Sequence, residues 1–343
     1  MKALVYTSQA TIQVLDRPKP TIQAPTDAII RLLHASICGT DLHILKGDVP
    51  SAQPGRILGH EGVGVIDAVG AAVQDLGVGD RVLISCMTSC GGCRFCQRGL
   101  PSHCVTGGWV LGNTIDGTQA EFVRVPHATL SLHRLPAGID PRAALAISDS
   151  LPTGLECGVL SANVQPGCSV VIVGAGPVGI AALLTARLYS PSLVVMVDLD
   201  EARLATARKL GANVTVNSSA PDARQQLLAL TEELGFDAVI EAVGIPATFA
   251  LCQKLVAVGG RIANVGVHGT SADLHLERLW DRNISIHMSL VNATTTPLLL
   301  RLVESGMLDI GSLVTHQGVT AYKTFQAAAH HQTLKVAIDF DIA

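Results

Sequence analysis

From about Pro152 onward, apolar strand-like runs alternate with segments of helix length, and this rhythm restricts the fold more than any other feature of the chain. The strands read SVVIVG, LVVMVD, NVTVNS, DAVIEAVG, GRIANVG and NISIHMS. Between them lie GIAALLTARLY, EARLATARKLG, ARQQLLALTEELG and TFALCQKLVAVG. Regular alternation of this kind predicts a doubly wound parallel sheet. Continuous apolar strands fit a sheet covered on both faces. The first strand runs into Gly174-Ala175-Gly176-Pro177-Val178-Gly179 and then an apolar helix. A lone G-x-G-x-x-G says little, but a β-branched strand before it and a helix after it are the context a phosphate-binding turn requires. Gly174 permits the tight turn, Gly176 lets backbone approach a pyrophosphate, and Gly179 allows close helix–strand packing. Pro177 and Val178 open the helix whose N–H groups face the phosphates.

The second strand ends in Asp198, nineteen residues past Gly179. A carboxylate there can accept hydrogen bonds from both adenosine ribose hydroxyls and repels a 2′-phosphate, which favours NAD over NADP. Arg203, on the following helix, could pair with such a phosphate. Asp200 and Glu201 lie nearby as alternative partners and leave it an exposed helix arginine.

The first 150 residues have a different character. Short apolar runs (AIIRLLH, GVGVIDAVG, DRVLIS, AEFVRV) alternate with Gly, Pro and Asp turn signals and read as β-rich. The last fifty residues break the strand–helix rhythm. Two domains suit 343 residues. With 15% charged and 48% hydrophobic residues, the chain is globular rather than disordered. A net charge of -4 without a basic stripe argues against a nucleic-acid partner. The most apolar stretch, Val170 to Leu184, is interrupted by Gly174, Gly176, Pro177 and Gly179, whereas a spanning helix needs about 20 apolar residues; no membrane partner is expected. The opening MKALVYTSQA has no apolar core of a signal peptide.

Nine cysteines without a secretory signal point to thiolate chemistry in a reducing, cytoplasmic compartment. Four of them crowd into one Gly-containing loop as Cys90-x2-Cys93-x2-Cys96-x7-Cys104. Four thiolates close a tetrahedron around zinc and leave no position for a substrate, so this set is structural. The neighbouring His103 reads as a surface residue. A second set is dispersed: Cys38 in ICGTDLH, His60 and Glu61 in GHEGVG, and Asp149 in SDSLPTG. Thiolate, imidazole and carboxylate together would leave a fourth zinc position open. Spacing alone cannot join residues so far apart, and each has an ordinary alternative: a small core residue, a satisfied core histidine, a turn aspartate.

The order CGTDLH, GHEGVG, four-cysteine loop, VGAGPVG resembles the medium-chain zinc-dependent alcohol dehydrogenases over nearly the whole chain. SDSLPTG and the tail segment SLVTH look most like the bacterial and archaeal secondary-alcohol branch. The resemblance implies a GroES-like β-rich catalytic domain (1–151 and 290–343) and a Rossmann NAD-binding domain (152–289). It implies that Cys38, His60 and Asp149 hold a catalytic zinc, with Glu61 beside it and able to reach the ion in some states. Thr40 and His43 match a proton relay that runs through the nicotinamide ribose hydroxyl, Thr153 matches a residue under the nicotinamide, and Trp109 matches a substrate-pocket position. The implied activity is hydride transfer between a small-molecule alcohol, preferably secondary, or its ketone, and NAD. Two zinc ions per chain and a homotetramer complete it. Several members of that branch lack the four cysteines that this chain keeps. Two rivals remain: a zinc-dependent dehydrogenase of polyols, threonine or formaldehyde adducts, and a non-catalytic protein on the same fold, whose mark would be lost zinc ligands or a lost glycine turn.

Overall fold

The computed structural model describes residues 1–311, 313–317 and 334–340. It divides into two compact units: Met1–Asp149 with the described residues from Asn292 onward, and Ser150–Val291.

The first unit begins with strands β1 (Lys2–Ser8), β2 (Thr11–Asp16), β3 (Ala28–Ile37), β4 (Arg56–Ile57), β5 (Gly62–Val69), β6 (Arg81–Ile84), β7 (Phe122–Val125) and β8 (Leu132–Arg134). β1 and β2 form a hairpin, and β4 pairs the other edge of β1. β3 is the hub of the larger sheet. It pairs antiparallel with β5 and β7, while β5 passes on to β6 and β6 to β8. Ile30, Leu32, Ile66, Val82, Ile84 and Val123 pack together on one side. Leu4, Tyr6, Ile37, Ile44 and Leu58 form a second core. The expected β-rich character therefore holds, because these short runs pair antiparallel, β7 burying alternate residues and β6 three in succession.

The second unit carries β9 (Ser169–Val173), β10 (Leu193–Asp198), β11 (Val214–Asn217), β12 (Phe236–Glu241), β13 (Val256–Asn264) and β14 (Ser285–Met288). All pairings are parallel, in the order β11-β10-β9-β12-β13-β14. This is the doubly wound 3-2-1-4-5-6 order, with its reversal between β9 and β12. Val171, Val195, Val239, Ile262 and the fully buried Phe236 fill its core. Two elements depart from the expected boundaries. The helix at Ala223–Ala229 stops before TEELG, where Glu232 and Glu233 take positive φ. The helix Pro246–Leu255 ends where Val256 turns extended, so VAVG belongs to β13 rather than to the helix; two β-branched valines favour the strand.

β15 (Val314–Gln317) and β16 (Lys335–Asp339) return to the first unit, where β16 pairs antiparallel with β3. Ser312 of the SLVTH segment, and residues 318–333 and 341–343 of the expected return, lie outside the described residues. Among the described residues no helix is long and apolar enough to cross a membrane.

Candidate active site

β3 delivers Cys38 at its end, and the chain turns at once into the helix Gly39–Lys46. The turn is held by the buried Asp41, whose carboxylate accepts the Cys38 N–H at 3.0 Å and the Gln119 amide at 2.9 Å. His60 and Glu61 precede β5, and Asp149 closes the short helix Leu145–Ser148. His60, Glu61 and Asp149 are 22 to 111 positions from Cys38, yet the donor atoms of all four lie within 4.8 Å of one another. Cys38 Sγ is 3.5 Å from Asp149 Oδ2, and His60 Nε2 is 3.7 Å from the same oxygen.

The electrostatics of the cluster ask for a cation. Burial pushes the Cys38 thiol up, and the Asp149 carboxylate adds to that. Burial works against a charged His60, but Asp149 and Cys38 hydrogen bonds carry its pKa well above the usual range. Burial would also raise Asp149; the bond and charge of His60 hold it well below the carboxylate range instead. Burial keeps the thiol protonated, and the imidazole is paired with an ionised Asp149. A divalent ion at their centre would satisfy all three and leave a fourth position open.

Glu61 sits differently. One carboxylate oxygen accepts from Ser36 Oγ and the other from Lys335 Nζ, all three residues being buried. Ser36 and Lys335 carried no sequence signal beyond a lone lysine at the start of the apolar run VAIDF. Thr40, the second residue of the helix, has its hydroxyl 3.6 Å from Cys38 Sγ. His43 lies three residues on, along the same helix face, with Nδ1 2.8 Å from Asp48 Oδ2. The sequence reading passed over Asp48. Trp109 stands edge-on to His60, with ring centroids 6.1 Å apart at 76°. It packs against the core containing Ile44 and Leu58, and its indole N–H is buried without an acceptor among the described residues.

The four-cysteine loop is a separate cluster. Its sulfurs also lie within 4.8 Å of one another, and none is in a disulfide. Cys93 and Cys96 sulfurs are 3.6 Å apart; zinc–sulfur bonds of about 2.3 Å in a tetrahedron require an edge of about 3.75 Å. N–H groups at Cys96 and Val105 pull Cys93 down to about 6. Desolvation, then the Cys93 sulfur, push Cys96 up to about 12. Neighbouring thiols cannot both ionise unless a cation joins them, so this donor set also fits zinc. His103 is exposed, as expected of a surface residue.

The second unit carries the glycine turn. Gly174 has φ +108°, and a Cβ there would meet Val243 at 2.7 Å. A Cβ on Gly179 would lie 1.8 Å from Gly174 O, which is the close helix–strand approach expected. At Gly176 the added atom meets nothing within 4 Å, so space is open above the turn. Pro177 and Val178 start the helix Pro177–Ala186, whose first N–H groups have no intrahelical partner. Asp198 closes β10; its Oδ2 accepts from Ala175 N at 2.6 Å and its Oδ1 from Asp200 N at 3.0 Å. The expected partners of Arg203 are engaged elsewhere. Asp200 caps the helix Glu201–Lys209 through the N–H groups of Ala202 and Arg203, and Glu201 accepts from Asn217 at 2.7 Å. Arg203 is half-buried rather than exposed, and its Nε has no partner among the described residues. Thr153 is half-buried at the end of the helix Ser150–Thr153.

Residues 24–137 match the family model described as alcohol dehydrogenase GroES-like domain, and residues 177–305 the one described as zinc-binding dehydrogenase. An alcohol dehydrogenase of Cupriavidus necator is 35% identical over 98% of this chain and 98% of its own length. Zinc-dependent alcohol dehydrogenase 2 of Streptococcus pneumonia, solved in apo form, superposes with a TM-score of 0.95 at 48% identity, covering 100% of this chain and 99% of that one. A putative zinc-binding dehydrogenase of Sinorhizobium meliloti 1021, bound to NADP, superposes with a TM-score of 0.88 at 28% identity, covering 99% of both chains.

Proposed function

The chain belongs to the zinc-dependent alcohol dehydrogenases of the medium-chain family, and on that premise we propose a zinc enzyme that oxidises secondary alcohols with NAD and reduces the corresponding ketones. The observation that carries this is the convergence of Cys38, His60 and Asp149 donor atoms within 4.8 Å. We read these three as the ligands of a catalytic zinc and Cys90, Cys93, Cys96 and Cys104 as those of a structural zinc, two ions per chain. Zinc held by the first set supplies Lewis acidity to the alcohol oxygen and lowers its pKa. Thr40 takes the hydroxyl proton, and His43 passes it to solvent. The nicotinamide supplies the redox step, and the chain supplies position and field. Glu61, anchored by Ser36 and Lys335, stands beside the three ligands and close enough to reach the ion in some states. Trp109 forms a bulky wall against His60, suited to sorting two unequal substituents.

Cofactor choice rests on Asp198, Gly174, Gly176, Val178 and Gly179. Solved relatives carry NADP in one case and NADH in another, so the fold alone does not select. Each Asp198 oxygen has two lone pairs and spends one on a backbone N–H, which leaves one apiece for the ribose hydroxyls. Arg203, without its expected acidic partners, is the counterweight toward a 2′-phosphate. We assign residues 1–151 with 290–343 to the catalytic domain, 152–289 to the cofactor domain with Thr153 under the nicotinamide, the assembly to a homotetramer and the location to the cytoplasm, where free thiols such as these persist.

The test is a panel of primary and secondary alcohols of matched length, with NAD and with NADP. Secondary alcohols are expected to be turned over faster, and NAD to be preferred by about a hundredfold in kcat/KM. Asp198→Gly should raise the KM for NAD and narrow the gap. Equal rates on the two alcohol classes would move the chain to a polyol-type subfamily, and equal use of NADP would remove Asp198 from the ribose.

A further inference from the structure

Glu241 closes β12 with its side chain fully buried, and no step above uses it. Burying a carboxylate is costly unless donors surround it, and here the turn after β12 supplies them while the turn after β13 bonds the backbone of the same residue. Its backbone oxygen accepts the N–H groups of Val265 at 2.8 Å and Gly266 at 3.1 Å, in the turn after β13. Its Oε1 accepts Val243 N–H at 3.1 Å, Gly244 N–H at 2.9 Å and Thr248 Oγ1 at 2.6 Å, in the turn after β12. Oε2 has no hydrogen bond among the described residues and faces His268 Nε2 at 3.8 Å. That imidazole bonds Asn264 Oδ1 at 3.0 Å and stands edge-on to Phe249. The two turns interlock without slack: a Cβ on Gly244 would lie 2.3 Å from Val267 O, and one on Gly266 would lie 2.1 Å from Gly244 N.

The place matters as much as the bonds. Glu241 is in register with Val173 of β9, Ala242 N donates to Val173 O at 2.8 Å, and Val243 fills the space beside Gly174. The β9–β12 boundary is where the strand order reverses, and ligands of open α/β sheets bind outside the carboxyl ends of the strands at that point. β9 to β11 make one mononucleotide half, with the glycine turn and Asp198; β12 to β14 make the other, and its corresponding turn is the one that Glu241 holds.

We propose that Glu241 is a positioning residue for the nicotinamide half of the dinucleotide, its carboxylate acting through the turn at 242–248, against which the turn at 265–266 packs. The inference rests on the dinucleotide-binding reading above. It is tested by calorimetric titration of the full-length chain with NADH and with ADP-ribose, which lacks the nicotinamide. Wild type is expected to bind both. Glu241→Ala should weaken NADH about tenfold and leave ADP-ribose within about twofold, since a lost tenfold corresponds to the removal of one or two hydrogen bonds. Glu241→Gln, which keeps the Oε1 acceptor, should restore NADH binding. Should Glu241→Ala fail to fold, Thr248→Val removes a single donor at the half-buried rim and should weaken NADH about threefold with ADP-ribose unchanged. Equal losses for both ligands, or unchanged NADH affinity, would overturn the assignment. A wild type that binds neither ligand would overturn the dinucleotide reading itself.

Discussion

A carboxylate can only accept a hydrogen bond, so the 2.8 Å contact between His43 and Asp48 makes Nδ1 the protonated nitrogen. Nε2 then keeps its lone pair for the outgoing proton. His43→Ala should lower kcat about tenfold near neutral pH, less at higher pH, because water can substitute at the outer end of a relay. Asp48→Asn, whose amide can donate to Nδ1 as well as accept from it and so no longer holds one tautomer, should lower kcat with little change in the KM for alcohol. Full activity of both variants across the pH range would remove His43 from the proton path. His133 offers a stability effect of known sign. Burial alone pulls its pKa down to about 4, against about 6.5 in an unfolded chain. Below about pH 6.5 the unfolded state binds a proton that the folded state refuses, so stability falls as pH drops. At pH 5 the contribution is about 2 kcal/mol. His133→Gln should therefore lose less stability than wild type between pH 7.5 and pH 5 in denaturant titrations, and an identical loss would contradict the buried neutral imidazole.

At the scale of elements, the four-cysteine loop is a short unregular segment between β6 and β7, with only the turns Cys96–Arg98 and Pro101–His103 giving it local order. Without an ion its sulfurs oppose one another, so an ion bound there would organise the loop. Cys93→Ser should cost one zinc and lower the melting temperature by about 3 °C, if about 2 kcal/mol is lost, while the protein that stays folded keeps its turnover per active site. A melting curve unchanged by Cys93→Ser would mean that the loop needs no ion. The loop was legible in the sequence because all four ligands fall within one stretch of chain, and the glycine turn for the same reason. Boundaries set by competition were not. TFALCQKLVAVG carries helix formers up to Leu255, and only the pairing of Val256 with Phe236 decides that the valines leave the helix. Gly154 carries no local signal, yet a Cβ there would sit 2.5 Å from Ala182 N, which fixes how closely 154–160 approaches the helix after the glycine turn.

At the scale of the whole chain, residues that no local pattern unites are brought together by strand pairing. Cys38 ends β3, His60 and Glu61 precede β5, and β16 returns beside β3 to bring Lys335 against Glu61. The family resemblance named Cys38, His60 and Asp149; nothing in the sequence named Lys335, because burial of a lysine is decided by its carboxylate partner and that partner is 274 residues away. The two candidate ligand sets share no residue, so their metals should be lost independently, as distant sites add in their effects. Elemental analysis of the purified chain should give two zinc ions per chain. His60→Ala should give one and lose turnover by about a thousandfold or more, because no Lewis acid then faces the alcohol. Its melting temperature should stay near that of wild type, since the four-cysteine loop keeps its ion. Cys93→Ser should also give one zinc, but with the opposite pairing: turnover kept and stability lost. The double variant should hold none, with the two defects simply added. If His60→Ala alone emptied both sites, or melted as Cys93→Ser does, the two clusters would be one cooperative structure and the division of labour between them would be wrong.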